Sequence, residues 1–78
     1  MKIKLTAANQ KVAIHTPFIR LDELLKFANA VGSGGQAKEA IVGGQVSYNG
    51  DICTMRGKKV YPGDKVKFQN RVYEVTSL

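Results

Sequence analysis

The stretch Ser33–Asp64, SGGQAKEAIVGGQVSYNGDICTMRGKKVYPGD, decides the fold of this chain. It predicts a short capped helix, a glycine stop, a strand, a tight turn, a basic loop and a second turn. Asn49-Gly50 is the strongest hairpin signal, because few other residue pairs accept positive φ at both turn positions. The cationic residues Arg56, Lys58 and Lys59 follow this rigid corner. The combination indicates a surface that binds a polyanion rather than a catalytic pocket.

Two helices are predicted around the glycines at 32–35. Ser33 is a good N-cap for the second helix, and Gln36 stands three residues later, as a capping box requires. Gly43-Gly44 is expected to end that helix. The first helix has apolar residues at i, i+3, i+4 and i+7, namely Leu21, Leu24, Leu25 and Ala28. We expect it to end at Gly32, with glycine supplying unusual backbone angles at the corner between the helices.

Alternation of polar and apolar residues predicts strands on both sides of the helices. The predicted strands include Lys2–Leu5, Val12–Ile14, Val46–Tyr48, Lys65–Phe68 and Val72–Val75. Turns are expected at Asn9-Gln10, Pro62–Asp64 and Gln69-Asn70. The outline is one α+β domain over residues 1–78, with two short helices packed on a small, largely antiparallel sheet. Nine residues are expected to share its core: Leu21, Leu24, Leu25, Ala37, Ala40, Ile41, Val46, Val66 and Phe68.

The basic residues are unevenly distributed along the 78 residues. The net charge is +6, from 12 basic and 6 acidic residues. Residues 56–71 hold six bases and only Asp64 as an acid, whereas residues 16–55 hold three bases and four acids. A clustered basic surface points to nucleic acid as the leading partner. A surface that is basic only for solubility is the alternative that charge alone leaves open.

The motifs that would indicate an enzyme are absent from the sequence. Gly32–Ala37 matches the dinucleotide pattern G-x-G-x-x-A, but a predicted helix rather than a strand precedes it. Gly57-Lys58-Lys59 lacks the glycine spacing and the hydroxyl residue of a P-loop. His15 and Cys53 have no partners at metal or triad spacing, and a structural position is expected for Cys53. We therefore expect no catalysis, no metal, no cofactor and no small-molecule substrate.

The chain is also expected to be soluble and cytoplasmic. No apolar run approaches the ~18 residues of a membrane span. Met1–Leu5 alternates lysine with apolar residues, unlike a signal peptide. A single cysteine agrees with a reducing compartment.

Taken in order, these pieces resemble the RNA-binding domain named for ribosomal small-subunit protein S-four. The resemblance covers residues 18–68 and rests on R-L-D at 20–22, S-x-x-Q-A-K at 33–38, V-x-Y-N-G at 46–50 and G-D at 63–64. It is strongest to the small stand-alone bacterial members of the YbcJ/YaaA type. The fold that it implies is the αL motif, two helices against a curved antiparallel sheet. The family often has arginine directly after the serine, where this chain has Gly34, and valine at Tyr48, whose ring can pack in the core or stack on a base.

The resemblance implies binding of structured RNA, ribosomal or transfer RNA, without catalysis. The candidate RNA-binding residues are Gln36, Lys38, Arg56, Lys58, Lys59, Lys65 and Lys67. We expect Lys38 and the three cations of residues 56–59 to lie on one exposed side, with Lys65 and Lys67 extending the patch across the sheet. The alternative is a protein-interaction adaptor that uses the same basic face on an acidic partner.

Overall fold

The computed structural model describes residues 8–78, and the predicted strand Lys2–Leu5 lies outside them. Within this range, seven strands and two helices follow in the order β1 Ala8–Ile14, β2 Ile19–Arg20, α1 Leu21–Phe27, α2 Gly34–Val42, β3 Val46–Tyr48, β4 Asp51–Ile52, β5 Lys59–Val60, β6 Lys65–Phe68 and β7 Arg71–Ser77. Five strands form a sheet in the order β1-β7-β6-β3-β4, and β2 pairs with β5 separately. The predicted α+β fold with a largely antiparallel sheet is therefore confirmed, with one parallel pair between β1 and β7.

The turn predicted at Asn9-Gln10 is wrong. Both residues lie inside β1 and pair with Val72 and Tyr73 of β7. Asn9 and Lys11 are exposed while Val12 and Ile14 are buried, so successive residues of the strand alternate between the solvent side and the core side. Because β7 supplies a seven-residue pairing partner, local turn propensity does not decide this segment.

The core contains all nine predicted residues. Each of them is at most 6% exposed, and all belong to one cluster between the helices and the sheet. The cluster also takes in five further buried residues, Val12, Ile14, Val60, Tyr73 and Val75. Cys53 is half-buried and packs against the cluster, as expected for a structural cysteine.

Helix α1 ends earlier than the sequence suggests. Its last residue is Phe27, and Asn29 adopts φ 61°. The N–H of Asn29 donates to the carbonyl of Lys26, and the N–H of Ala30 donates to that of Leu25, which is a Schellman ending. Asparagine at this left-handed position stops the helix, so Gly32 is not its end.

Helix α2 begins and ends nearly as predicted. Ser33 Oγ accepts from the N–H of Gln36 at 3.2 Å, but Gln36 Oε1 accepts from the N–H of Gly32 at 2.6 Å rather than from that of Ser33. At the other end Gly44 adopts φ 79° in a second Schellman motif. The glycines at 32, 34 and 35 do not have positive φ, so the expected corner of special glycine angles is wrong. The left-handed residue between the helices is Asn29.

Two tight hairpins shape the sheet. Asn49 and Gly50 adopt φ 50° and 95° between β3 and β4, which confirms the predicted turn. Gln69 and Asn70 adopt φ 51° and 65° between β6 and β7, without a glycine. The predicted turn at 62–64 is also present, with the N–H of Asp64 donating to the carbonyl of Tyr61.

Candidate nucleic-acid interface

The basic loop after β4 is fixed to the start of α1 by backbone hydrogen bonds. Arg20 at the N-cap makes no side-chain capping bond. Instead, the N–H of Leu21 donates to the carbonyl of Lys58 at 2.8 Å, and that of Asp22 donates to the carbonyl of Arg56 at 3.1 Å. The first N–H groups of a helix lack intrahelical partners, so this loop satisfies them. The same bonds hold Arg56 and Lys58 beside the first turn of α1.

Two lysines of this region lie over aromatic rings. The Lys58 Nζ is 4.8 Å from the ring centroid of Tyr48, and the Lys59 Nζ is 4.9 Å from that of Phe18. Such cation–π contacts position a charge while leaving it accessible. Lys58 is half-buried, whereas Lys59 is exposed. The expected apolar support beneath these cations is therefore aromatic.

The ring of Tyr48 is held by a network centred on Asp64. The Tyr48 hydroxyl donates to Asp64 Oδ2 at 2.6 Å, the Tyr61 N–H donates to the same oxygen at 2.9 Å, and Asn49 Nδ2 donates to Oδ1 at 3.2 Å. Tyr48 is half-buried and packs against the core, so core packing is the role that the fold shows for it. The Asp64 carboxylate thereby joins the Asn49-Gly50 hairpin to the turn at 61–64.

These contacts shift two pKa values in opposite directions. The hydrogen bond to Asp64, aided by burial and by the carboxylate charge, raises the pKa of Tyr48 to about 12. Burial alone would raise the pKa of Asp64. The hydrogen bonds from Tyr48, the Tyr61 N–H and Asn49, together with the charge of Lys58, outweigh it and lower that pKa below its ordinary value of 3.8. Asp64 is therefore held as a carboxylate and Tyr48 as a neutral phenol.

The two helices place two further cations, Lys26 on α1 and Lys38 on α2. Asp22, whose N–H is bonded to the loop, lies one helical turn before Lys26, and Lys26 reaches the start of α2. A Cβ built on Gly34 would lie 4.0 Å from Lys26 Cδ. Lys38 lies one turn after Gly34 and is exposed. Residues four apart share a side of a helix, so Lys26 follows Asp22 along α1 and Lys38 follows Gly34 along α2.

We call the loop, the outer sides of the two helices and the neighbouring strand pair the helix-side surface; its basic residues are Arg20, Lys26, Lys38, Arg56, Lys58 and Lys59. Arg20 Nη2 pairs with Asp22 Oδ2 at 3.0 Å, and no other ion pair is formed within residues 8–78. Sequence reasoning missed Arg20 and Lys26, which flank the acidic residues Asp22 and Glu23 and so do not stand out as a basic cluster. The signal that finds Lys26 is its helical phase relative to Asp22.

Gln36 lies at the same end of α2, with its side chain partly engaged. Its Oε1 accepts from the N–H of Gly32, so the amide group is already oriented by the helix start. The residue is exposed. Its amide nitrogen makes no hydrogen bond to any residue that the structure describes, which leaves a donor for a partner.

Lys65 and Lys67 lie on the opposite face of the sheet. They alternate along β6 with buried Val66 and Phe68, whose side chains face the helices. The two lysines, with Lys11 of β1, form what we call the outer face. An open groove of about 540 Å³ on this face is lined by Ser47, Asn49, Gly50, Lys65, Lys67 and Val72. The fold therefore does not bring Lys65 and Lys67 together with Lys38 and the loop cations.

Neither a metal-binding cluster nor a membrane-spanning helix is found among the described residues. Within residues 8–78, no three His, Cys, Asp or Glu side chains are arranged to hold a metal ion. The helices seen there are too short and too polar to cross a bilayer. The arrangement is suited to holding charge at fixed positions on an exposed surface.

Comparison with known proteins identifies the family. A family model described as the S4 domain matches residues 12–76. The chain belongs to the S4 domain family. RlbA of Bacillus subtilis (strain 168), whose name describes it as a probable ribosome maturation protein, is 36% identical over 58 residues, which are 74% of this chain and 82% of RlbA.

A second S4-type relative has a solved structure. YbcJ of Escherichia coli (strain K12) is 36% identical over 61 residues, which are 78% of this chain and 87% of YbcJ. Its solution structure, described as revealing an αL motif involved in RNA binding, superimposes with a TM-score of 0.63 at 32% identity and covers 97% of this chain and 96% of that one. The expected family resemblance and the αL fold are thus confirmed.

Proposed function

We propose that this S4 protein binds structured RNA, with ribosomal RNA as the first candidate, and that it does so without catalysis. The observation that carries the proposal is the loop of residues 53–58, whose carbonyls cap α1 and hold Arg56 and Lys58 beside its first turn. Membership of the family supports RNA as the partner, and the name of RlbA supports a role in ribosome maturation. We infer that this role is carried out in the cytoplasm.

Phosphate contacts supply most of the affinity in this proposal. Each lysine or arginine that neutralises a phosphate releases counterions, so binding weakens as salt rises. Arg56, Lys58 and Lys59 are the central contacts and Lys38 extends them along α2. Gln36 offers its amide nitrogen to a base or a sugar, and selectivity comes from RNA shape and a few such polar contacts.

The test is a salt titration of two triple-alanine variants on a structured ribosomal RNA fragment. One variant replaces Arg56, Lys58 and Lys59; its matched control replaces Lys11, Lys65 and Lys67 of the outer face, so both fall from +6 to +3. We expect the first to bind more weakly and to flatten the log–log salt slope by roughly 2–3 units, since each contact contributes about 0.7–0.9. The control should lose less. Equal losses would mean that total charge, rather than the helix-side surface, governs binding.

The control also decides the part played by Lys65 and Lys67. An unchanged slope in the control would leave Lys65 and Lys67 outside the contact, whereas a slope flatter by about one unit, still less than in the first variant, would show that the contact extends to the outer face. An acidic protein partner would also give salt-sensitive binding. Crosslinking in cells separates the two partners, because RNA-dependent recovery is abolished by nuclease and recovery of a protein partner is not.

A further inference from the structure

The short strand pair β2–β5 presents two aromatic and two cationic side chains on one face. Ile19 pairs with Val60 and Arg20 pairs with Lys59. Val60 is completely buried, so the side chains of Val60 and its partner Ile19 point toward the core. Because opposed residues share a face and successive residues alternate, Arg20 and Lys59 project outward, and the next outward pair along the ladder is Phe18 and Tyr61.

The side-chain contacts agree with this register. The rings of Phe18 and Tyr61 stack with centroids 5.8 Å apart and planes inclined by 24°. The Lys59 ammonium lies over Phe18, and the Arg20 side chain is 46% exposed. Tyr61 is 47% exposed, although it stands next to the fully buried Val60. The ring pair is therefore open to solvent on the side of Tyr61, with half-buried Phe18 behind it and a cation on either strand.

The platform has a fixed backbone. The Tyr61 N–H donates to Asp64, and the carbonyl of Lys58, one residue before β5, accepts from Leu21 at the start of α1. Both bonds use backbone atoms of this segment, so the outward side chains contribute nothing to them. A rigid aromatic pair flanked by cations is the arrangement on which unpaired bases stack while their phosphates are neutralised.

We propose that Phe18 and Tyr61 form a stacking platform for an unpaired base of the bound RNA, with Arg20 and Lys59 holding the flanking phosphates. The inference rests on the proposed function and adds to it a preference for RNA with an unpaired base next to a helix. Duplex RNA keeps its bases inside the stack, so it reaches the cations without engaging the rings.

The first experiment uses Tyr61→Trp as a reporter. The sequence has no tryptophan, so the substituted ring would be the sole indole of the protein. The probes are a stem-loop RNA with unpaired purines and a fully paired duplex with the same number of phosphates, each checked for binding by mobility shift. We expect quenching of the tryptophan emission by the stem-loop and little change with the duplex. Binding of the stem-loop without quenching, or equal quenching by both RNAs, would overturn the platform and leave the proposed function standing.

The second experiment measures affinity with a matched pair of substitutions. Tyr61→Leu removes the ring and should weaken stem-loop binding by roughly 5- to 150-fold. Tyr61→Phe keeps an aromatic ring and should bind the stem-loop with the affinity of the wild type. The salt slope should stay unchanged in both, because no charge is removed. Unchanged stem-loop affinity in Tyr61→Leu would refute the platform. If neither RNA binds the wild-type protein while an acidic protein does, the proposed function fails together with it.

Discussion

At the scale of single residues, Asp64 couples the two turns that frame the basic loop. Its carboxylate accepts from Tyr48, Asn49 and the Tyr61 N–H, and the Asn49 side chain in turn accepts from the N–H of Lys65. Hydrogen bonds to a charged group are stronger than those between neutral groups. Loss of this carboxylate would therefore loosen the hairpin, the second turn and the support of the Tyr48 ring together.

The lowered pKa of Asp64 predicts a loss of stability in acid. The unfolded chain takes up this proton near its ordinary pKa of 3.8, whereas the folded protein resists until a lower pH. The stabilisation is complete above 3.8 and disappears as pH falls through the folded pKa. Urea unfolding at neutral pH and at about pH 3 should show that Asp64→Asn loses much of this pH dependence. The exposed Asp51→Asn is the control, and an identical pH dependence in both variants would contradict the network.

Gly34 is a second residue whose substitution has a predictable effect. Its φ is not positive, and an added Cβ would meet only Lys26 Cδ at 4.0 Å, so a side chain fits. Gly34→Arg restores the arginine that the family often has and adds a charge to the helix-side surface. We expect tighter RNA binding and a salt slope steeper by about 0.7–0.9. Gly34→Gln adds bulk without charge and should leave the slope unchanged; the same slope in both would place this position outside the contact.

At the scale of elements, the sequence predicts those helix ends and turns that are set by residues within the same short segment. Ser33, Gly44 and Asn49-Gly50 each impose a backbone geometry on their immediate neighbours, and these boundaries are where the sequence places them. The sequence predicts the end of α1 too late, because apolar residues continue after Phe27 and the first glycine is Gly32. Asn29, which ends the helix, is a weaker stop signal than glycine. Strands β2 and β5 have two residues each and are set by pairing across the fold, which no local pattern reports.

Substitutions in the turn between β6 and β7 are expected to stabilise the protein. Gln69 adopts φ 51°, where a residue with a Cβ pays a conformational cost of roughly 1–2 kcal/mol. Replacing Gln69 by Asn and Asn70 by Gly gives the pair that this turn prefers, and should raise stability by ~1 kcal/mol and Tm by about 4–8 °C. Gly50→Ala is the reciprocal control. At φ 95° with no atom within 4 Å of the new Cβ, it should lower Tm through backbone conformation alone. A turn variant that melts below the wild type would contradict the assigned geometry.

At the scale of the whole molecule, the sheet separates two basic faces that the sequence presents as one run. Residues 56–71 carry six bases, but the alternation along β6 sends Lys65 and Lys67 to the outer face while Lys58 stays with the helices. The alternation of side chains along β6 is enough to predict this division, because Lys65 and Lys67 must face away from the core when Val66 and Phe68 face it. The approach of Lys26 to the start of α2 could not be predicted in this way, because it depends on where the two helices pack.

The core beneath α1 should control both stability and the interface. A domain of 78 residues has a net stability of about 4–12 kcal/mol, so a large fraction is lost with one core side chain. Leu25 is completely buried, and Leu25→Ala should cost ~2–5 kcal/mol. Phe27→Ala on the same helix is the control: Phe27 is 63% exposed, and its loss should change the free energy of unfolding by no more than about 0.5 kcal/mol.

Thermal melts compare the two variants, and labelling of the half-buried Cys53 thiol supplies a second readout. A loosened α1 should also loosen the loop that follows Cys53, because the loop is hydrogen-bonded to the start of this helix. Thiol labelling should accelerate in Leu25→Ala and not in Phe27→Ala. Equal melting midpoints in the two variants would show that the helix phase is wrong, and unchanged labelling despite a lower midpoint would show that the loop is held independently of α1.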